Sequence, residues 1–98
     1  MLLMSLLAAT LSVAQPAPAL DAAATLASPG EARRVVLDGR SWSCGPEGGC
    51  FARGPGASQP VLRECRRFVA RFGAVTRYER NGVALTEAEL AQCNTAAA

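Results

Sequence analysis

The chain contains no histidine and no lysine: all ten of its basic residues are arginine. Without imidazole there is no histidine base, proton shuttle or metal ligand, and without an ε-amine there is no Schiff-base chemistry. Aromatic side chains are few, Trp42, Tyr78 and three phenylalanines, and none interleaves the arginines as a platform for stacking bases, so nucleic acid is not an expected partner. Acidic residues number eight, leaving a net charge of +2 that carries no functional weight by itself. Long apolar runs are also missing. The longest, residues 1–14, falls short of the roughly 20 residues that a membrane-spanning helix needs.

That run, Met1 to Ala14, has the character of a secretory leader: an apolar stretch ending in the small residues Ser12-Val13-Ala14. It lacks the basic residue that usually opens such a leader. Cleavage after Ala14 exposes Gln15, and Ala17-Pro18-Ala19 offers a second site that exposes Leu20. No stable membrane span is expected once the leader is removed. Residues 15–30 are biased toward alanine and proline with a single charge, Asp21, and are expected to form a flexible linker. The folded domain is then expected at residues 31–94, with a frayed tail at 95–98. A unit of that size buries only about 60% of its unfolded surface and needs cross-links.

Four cysteines supply them. Their spacing has no paired C-x₂-C arms for zinc and no C-x-x-C of a thiol oxidoreductase. Behind a leader, an even count is the pattern of a disulfide framework in an oxidising compartment. Of three possible connectivities, Cys44–Cys50 with Cys65–Cys93 is preferred, the first across a hairpin and the second between two helices. In the chain-entropy account these closures contribute about 2.4 and 3.6 kcal/mol.

The expected fold is α+β, a small disulfide-stapled antiparallel sheet in the order βββ-α-ββ-α, packed against one main amphipathic helix and a short C-terminal helix. Asp38-Gly39 and Asn81-Gly82 are type I′ turn signals. The first sets Leu37 opposite Arg40 and Val35 opposite Trp42. The turn at 45–49 then sets Cys44 opposite Cys50 and Trp42 opposite Ala52. Trp42 is expected as a core anchor beside the disulfide. Ser58 is the expected N-cap of the main helix, with Pro60 in its first turn and Gly73 closing it. Val61, Leu62, Cys65, Phe68, Val69 and Phe72 form its inner stripe, while Arg63, Glu64, Arg66, Arg67, Ala70 and Arg71 fall on the outer arc. Thr86 and Glu89 fit a capping box at the start of the last helix.

Trp42-x-Cys44, Cys50-x-Ala52, the helix bearing Cys65 and closed by Gly73, Gly82, and Leu90-x-x-Cys93-Asn94 together resemble an uncharacterised family of small exported alphaproteobacterial proteins. The resemblance spans roughly residues 35–94 and implies export and a shared fold. It implies no activity. The chain departs from that family in a longer glycine-rich loop at 45–49.

No residue set carries a catalytic constellation, and no enzyme activity, cofactor or metal site is expected. The expected role is a non-catalytic periplasmic or secreted interaction or structural module, acting as a monomer. Its expected partner is an envelope protein or an anionic envelope component, met through Arg63, Arg66, Arg67 and Arg71. The alternative is a secreted inhibitor of a hydrolase acting through the Cys44–Cys50 loop, since a rigid loop binds with little ordering cost.

Overall fold

The computed structural model describes residues 21–97. In chain order they form β1 (Ala22–Leu26), β2 (Arg33–Leu37), β3 (Arg40–Cys44), β4 (Gly49–Arg53), α1 (Val61–Phe72), β5 (Val75–Arg80), β6 (Val83–Ala84) and α2 (Glu87–Asn94). The strands make one antiparallel sheet in the order β2-β3-β4-β1-β5-β6, which gives the expected α+β class with one more strand than expected. The leader at 1–14 lies outside the described residues.

The two Asx-Gly turns behave as their residues dictate. Asp38 and Gly39 have φ of 50° and 82°, and Asn81 and Gly82 have 53° and 81°, the left-handed pair that a type I′ turn requires. The resulting registers set Leu37 against Arg40, Val35 against Trp42, Trp42 against Ala52 and Cys44 against Cys50. Both disulfides are formed, Cys44–Cys50 with Cα atoms 4.1 Å apart and Cys65–Cys93 at 5.7 Å. The first spans opposed strand residues, and the second ties α1 to α2.

Sequence and structure part at both ends of the domain. The tail expected to fray at 95–98 is tied down over its described residues: Thr95, Ala96 and Ala97 donate to Gln92 O, Cys93 O and Asn94 O, and Ala96 and Ala97 are half-buried against the core. The larger difference is the segment expected as a linker. Within residues 15–30, Ala22–Leu26 is β1, held between β4 and β5 near the middle of the sheet, so the ordered domain reaches back to Asp21. Ala22, Ala24 and Leu26 face the core and alternate with half-buried Ala23 and Thr25. Ala24 is flanked by Cys50 on one side and Tyr78 on the other. A methyl group leaves room there for the half-cystine and the phenol ring. Alanine is a poor strand former on average, but the neighbours across the sheet decide the outcome.

At α1 the N-cap is Pro60, not Ser58: Pro60 is extended (φ −60°, ψ 147°), has no side-chain cap, and its carbonyl accepts from Glu64 N at 3.0 Å. A residue preceding proline is kept out of the helical region, so no helical turn can begin ahead of it. Gly73 ends the helix at φ 109°, its N–H donating to Val69 O. α2 opens with the reciprocal capping box of Thr86 and Glu89. It closes on Asn94, whose side-chain amide pairs with both backbone groups of Val75, accepting from N at 2.9 Å and donating to O at 2.8 Å. The amide thus acts like a piece of strand and fastens α2 to β5.

Between the helices and the inner sheet face lies an aromatic core. Trp42 packs on Phe68, Tyr78 and Phe72 with ring centroids 4.5, 6.0 and 6.4 Å away. Such contacts add to the burial of large apolar area. Trp42 is wholly inside the fold, at 2% exposure.

Candidate functional site

Three places hold polar chemistry: a buried carboxylate, the outer face of α1, and the cystine turn.

The buried carboxylate is Glu64, 5% exposed. It was expected on the outer arc with the arginines. At about 100° per residue it lies roughly 40° beyond Phe68, on the rim of the apolar stripe, and the helix turns it inward. Its Oε2 accepts from Tyr78 Oη at 2.5 Å and Arg40 Nε at 2.9 Å, while Oε1 accepts from Arg80 Nη1 at 3.2 Å and, more weakly, Arg40 Nη2 at 3.4 Å. Arg40 is itself 4% exposed, and its Nη1 donates to Gly54 O at 2.7 Å. Burial would raise the Glu64 carboxyl, but the hydrogen bonds from Tyr78 and Arg40 and the Arg40 charge outweigh it and hold the group below the usual carboxylate range. Burial and then the Glu64 carboxylate push the Tyr78 phenol far above its ordinary value.

The chain builds this centre from both layers. Alternation along β3 puts Arg40 on the same face as Trp42 and Cys44. Loop residues 54–57 then fold over the guanidinium. A Cβ on Gly56 (φ +70°) would lie 2.9 Å from Arg40 Cζ and Nε, so the loop approaches only because this residue is glycine. Sequence reasoning singled out neither Arg40 nor Glu64 as a site, though one signal was present. Setting Leu37 opposite Arg40 places an arginine on the core face, where a buried charge needs a carboxylate. Chemically the centre is closed. With four donors on two oxygens, Glu64 has no lone pair positioned to accept a substrate proton, and Tyr78 is bound to it.

On the outer face of α1, Arg63, Arg66, Arg67 and Arg71 surround Ala70 and wall a shallow depression of about 400 Å³. The structure brings all four together as expected, but not as equals. Arg67 forms a bidentate pair with Asp38 at 2.7 and 3.1 Å, which lowers the Asp38 carboxyl from its ordinary value. Arg66 Nη1 donates to Gln92 O and Thr95 Oγ1, both at 2.8 Å. Arg63 and Arg71 have no hydrogen-bond or ion-pair partner among the described residues.

The cystine turn folds back on the sheet. Gly45 N donates to Gly49 O at 2.9 Å, and Gly48 is buried beside Pro29, its O accepting from Leu26 N at 2.8 Å. Pro46 and Glu47 remain exposed at its tip. Among the described residues no group of three or more Cys, Asp or Glu is placed to hold a metal ion, and no helix is long and apolar enough to cross a membrane.

No curated protein and no solved structure gives a significant match to the chain. A family of unknown function, DUF8200, matches residues 5–95 and includes every element of the fold, and the chain belongs to it.

Proposed function

We propose that this protein is a non-catalytic exported module, of the alphaproteobacterial kind its cysteine and tryptophan pattern resembles, that docks on an anionic envelope partner through the outer face of α1. The observation that carries the reading is the division of its charged groups. Glu64, Arg40, Arg80 and Tyr78 are consumed by one another inside the fold. Arg63 and Arg71 find no partner among the described residues, on a surface where Arg66 and Arg67 are held in place by α2 and the β2–β3 turn. Two ordered guanidiniums beside two free ones form a patch that a negative surface complements. Two disulfides in so short a chain fit an oxidising compartment, the periplasm or the exterior. The module acts as a monomer and uses no cofactor.

The hydrolase-inhibitor reading has less behind it. The cystine turn is docked on Leu26 and Pro29, and only Pro46 and Glu47 project for a protease or other hydrolase to engage.

The test is retention of native envelope components on the immobilised oxidised chain. Binding is expected at low ionic strength, lost as salt is raised, and lost in the Arg63→Gln/Arg71→Gln variant with its melting temperature unchanged. Equal retention by wild type and variant overturns the reading, and a hydrolase as the dominant captured protein supports the alternative.

A further inference from the structure

A different surface, the edge of β2 that is unpaired among the described residues, carries an inference independent of the arginine face. In a two-residue hairpin the pair flanking the turn, here Leu37 and Arg40, exchanges hydrogen bonds. Residues 33, 35 and 37 therefore bond to β3, while Arg34 and Val36 turn their N–H and C=O groups to the open side. Neither residue has a backbone partner elsewhere among the described residues. The opposite edge of the sheet is blunted in the ordinary way, since β6 is only two residues long. β2 has five residues in unbroken register, with no proline and no bulge.

The side chains of this edge are also unfinished. Val35 and Leu37 face the core but are only half-buried, and Val36 on the other face is 74% exposed. Beside the strand, on the sheet face away from the helices, lies a depression of about 470 Å³ walled by Arg34, Ser43, Glu47 and Phe51, the last 52% exposed. We propose that β2 accepts an extended peptide segment of a partner protein as an additional antiparallel strand, with apolar residues beside Val35 and Leu37 and a carboxylate beside Arg34. Main-chain bonds to Arg34 and Val36 supply the attachment, and alternate side chains supply the selection. A second copy of β2 would bring two more arginines to this edge instead of a carboxylate, so charge complementarity favours an acidic, different chain.

The probe is a short capped peptide of alternating valine and glutamate, titrated into the isotope-labelled oxidised protein. Chemical-shift changes and slowed amide exchange are expected at Arg34 and Val36. The valine–lysine counterpart should bind about tenfold more weakly or worse, as should the Arg34→Glu variant with the original peptide. Val36→Pro removes only an N–H that faces away from β3, so it should abolish binding while the β2–β3 ladder persists. If the proline disturbs that ladder, Arg34→Glu decides the matter alone. Absence of peptide binding, binding that maps to α1, indifference to Arg34→Glu, or self-association through β2 in place of peptide uptake would each overturn the proposal.

Discussion

Replacing Glu64 by alanine is expected to remove a large share of the protein's stability, although it breaks no cross-link. The side chain takes hydrogen bonds from Tyr78, Arg40 and Arg80. Its loss leaves Arg40, at 4% exposure, as a buried charge whose one remaining partner is Gly54 O. Breaking a buried pair in this way costs about 3–5 kcal/mol. A domain of this length holds roughly 4–12 kcal/mol in all. Urea denaturation of the oxidised protein, followed by circular dichroism, measures the difference. Replacing both members, Arg40→Met with Glu64→Leu, should recover part of the loss, because the uncompensated charge then disappears. The sign of the pH dependence follows from the lowered carboxyl. The stabilisation is fully present above the unfolded value near 4.5 and is lost as pH falls through the lower folded one. Asp38 is lowered too, so the comparison belongs in an Asp38→Asn background, where Glu64→Gln should flatten the remaining acid arm. A Glu64→Ala protein within about 0.5 kcal/mol of wild type, the range of an ordinary surface substitution, would refute the reasoning, and so would an unchanged acid arm.

Tyr78 is the one tyrosine, and its phenol is raised above the ordinary value of 10.0. Ultraviolet titration of the folded chain should therefore show no tyrosinate until alkaline unfolding, and stability should decline as pH rises past about 10. Asn94→Ala strips Val75 of both its backbone partners and should cost about 1–3 kcal/mol in thermal or chemical denaturation. Gly56→Ala should destabilise clearly more than Gly82→Ala in the same assay. Both sites have positive φ, but the new methyl meets the Arg40 guanidinium at the first and open space at the second.

What could be read from the sequence was whatever is decided by neighbours along the chain. Asp38-Gly39 and Asn81-Gly82 fix their turns through local backbone preference; the β2–β3 register follows by counting from the first of them, and the β3–β4 register by counting from the turn at 45–49. The capping box of Thr86 is local in the same sense, and the disulfide pairing follows from hairpin register and helix face. The N-cap of α1 failed for a local reason, the restriction on the residue ahead of Pro60; the other failures are cases in which distant parts of the chain decide. Ala22–Leu26 begins with three alanines and has little strand propensity to announce it, and what makes it a strand is pairing on both sides, with β4 and with β5. Glu64 sits at the rim of its helix stripe, where a polar residue is normally left in water. It is drawn inward by Arg40 and Tyr78, which are 24 and 14 residues away in the chain. Four arginines on one helix face were legible, whereas the division into two held and two free required α2 and Asp38 to be in place.

The position of β1 limits how this protein can be made and trimmed. Each disulfide lies on one side of it: Cys44–Cys50 staples β3 to β4, and Cys65–Cys93 staples α1 to α2, the helices that pack with β5. Neither bond reaches β1, so the strand that joins the two halves of the sheet, the first of the described elements, is held only by hydrogen bonds and packing. Its pairing with β5 must wait until residue 80 has been synthesised, by which time the β2–β3–β4 meander can already be closed and oxidised. Asp21 marks the limit for any peptidase that trims the N-terminus. Its carboxylate accepts from Gly54 N at 2.6 Å, and its carbonyl accepts from Asn81 N at 3.1 Å, one bond to each half. A cut before that residue leaves every described bond of the joint in place, whereas a cut a few residues later leaves the two halves of the sheet with no strand between them.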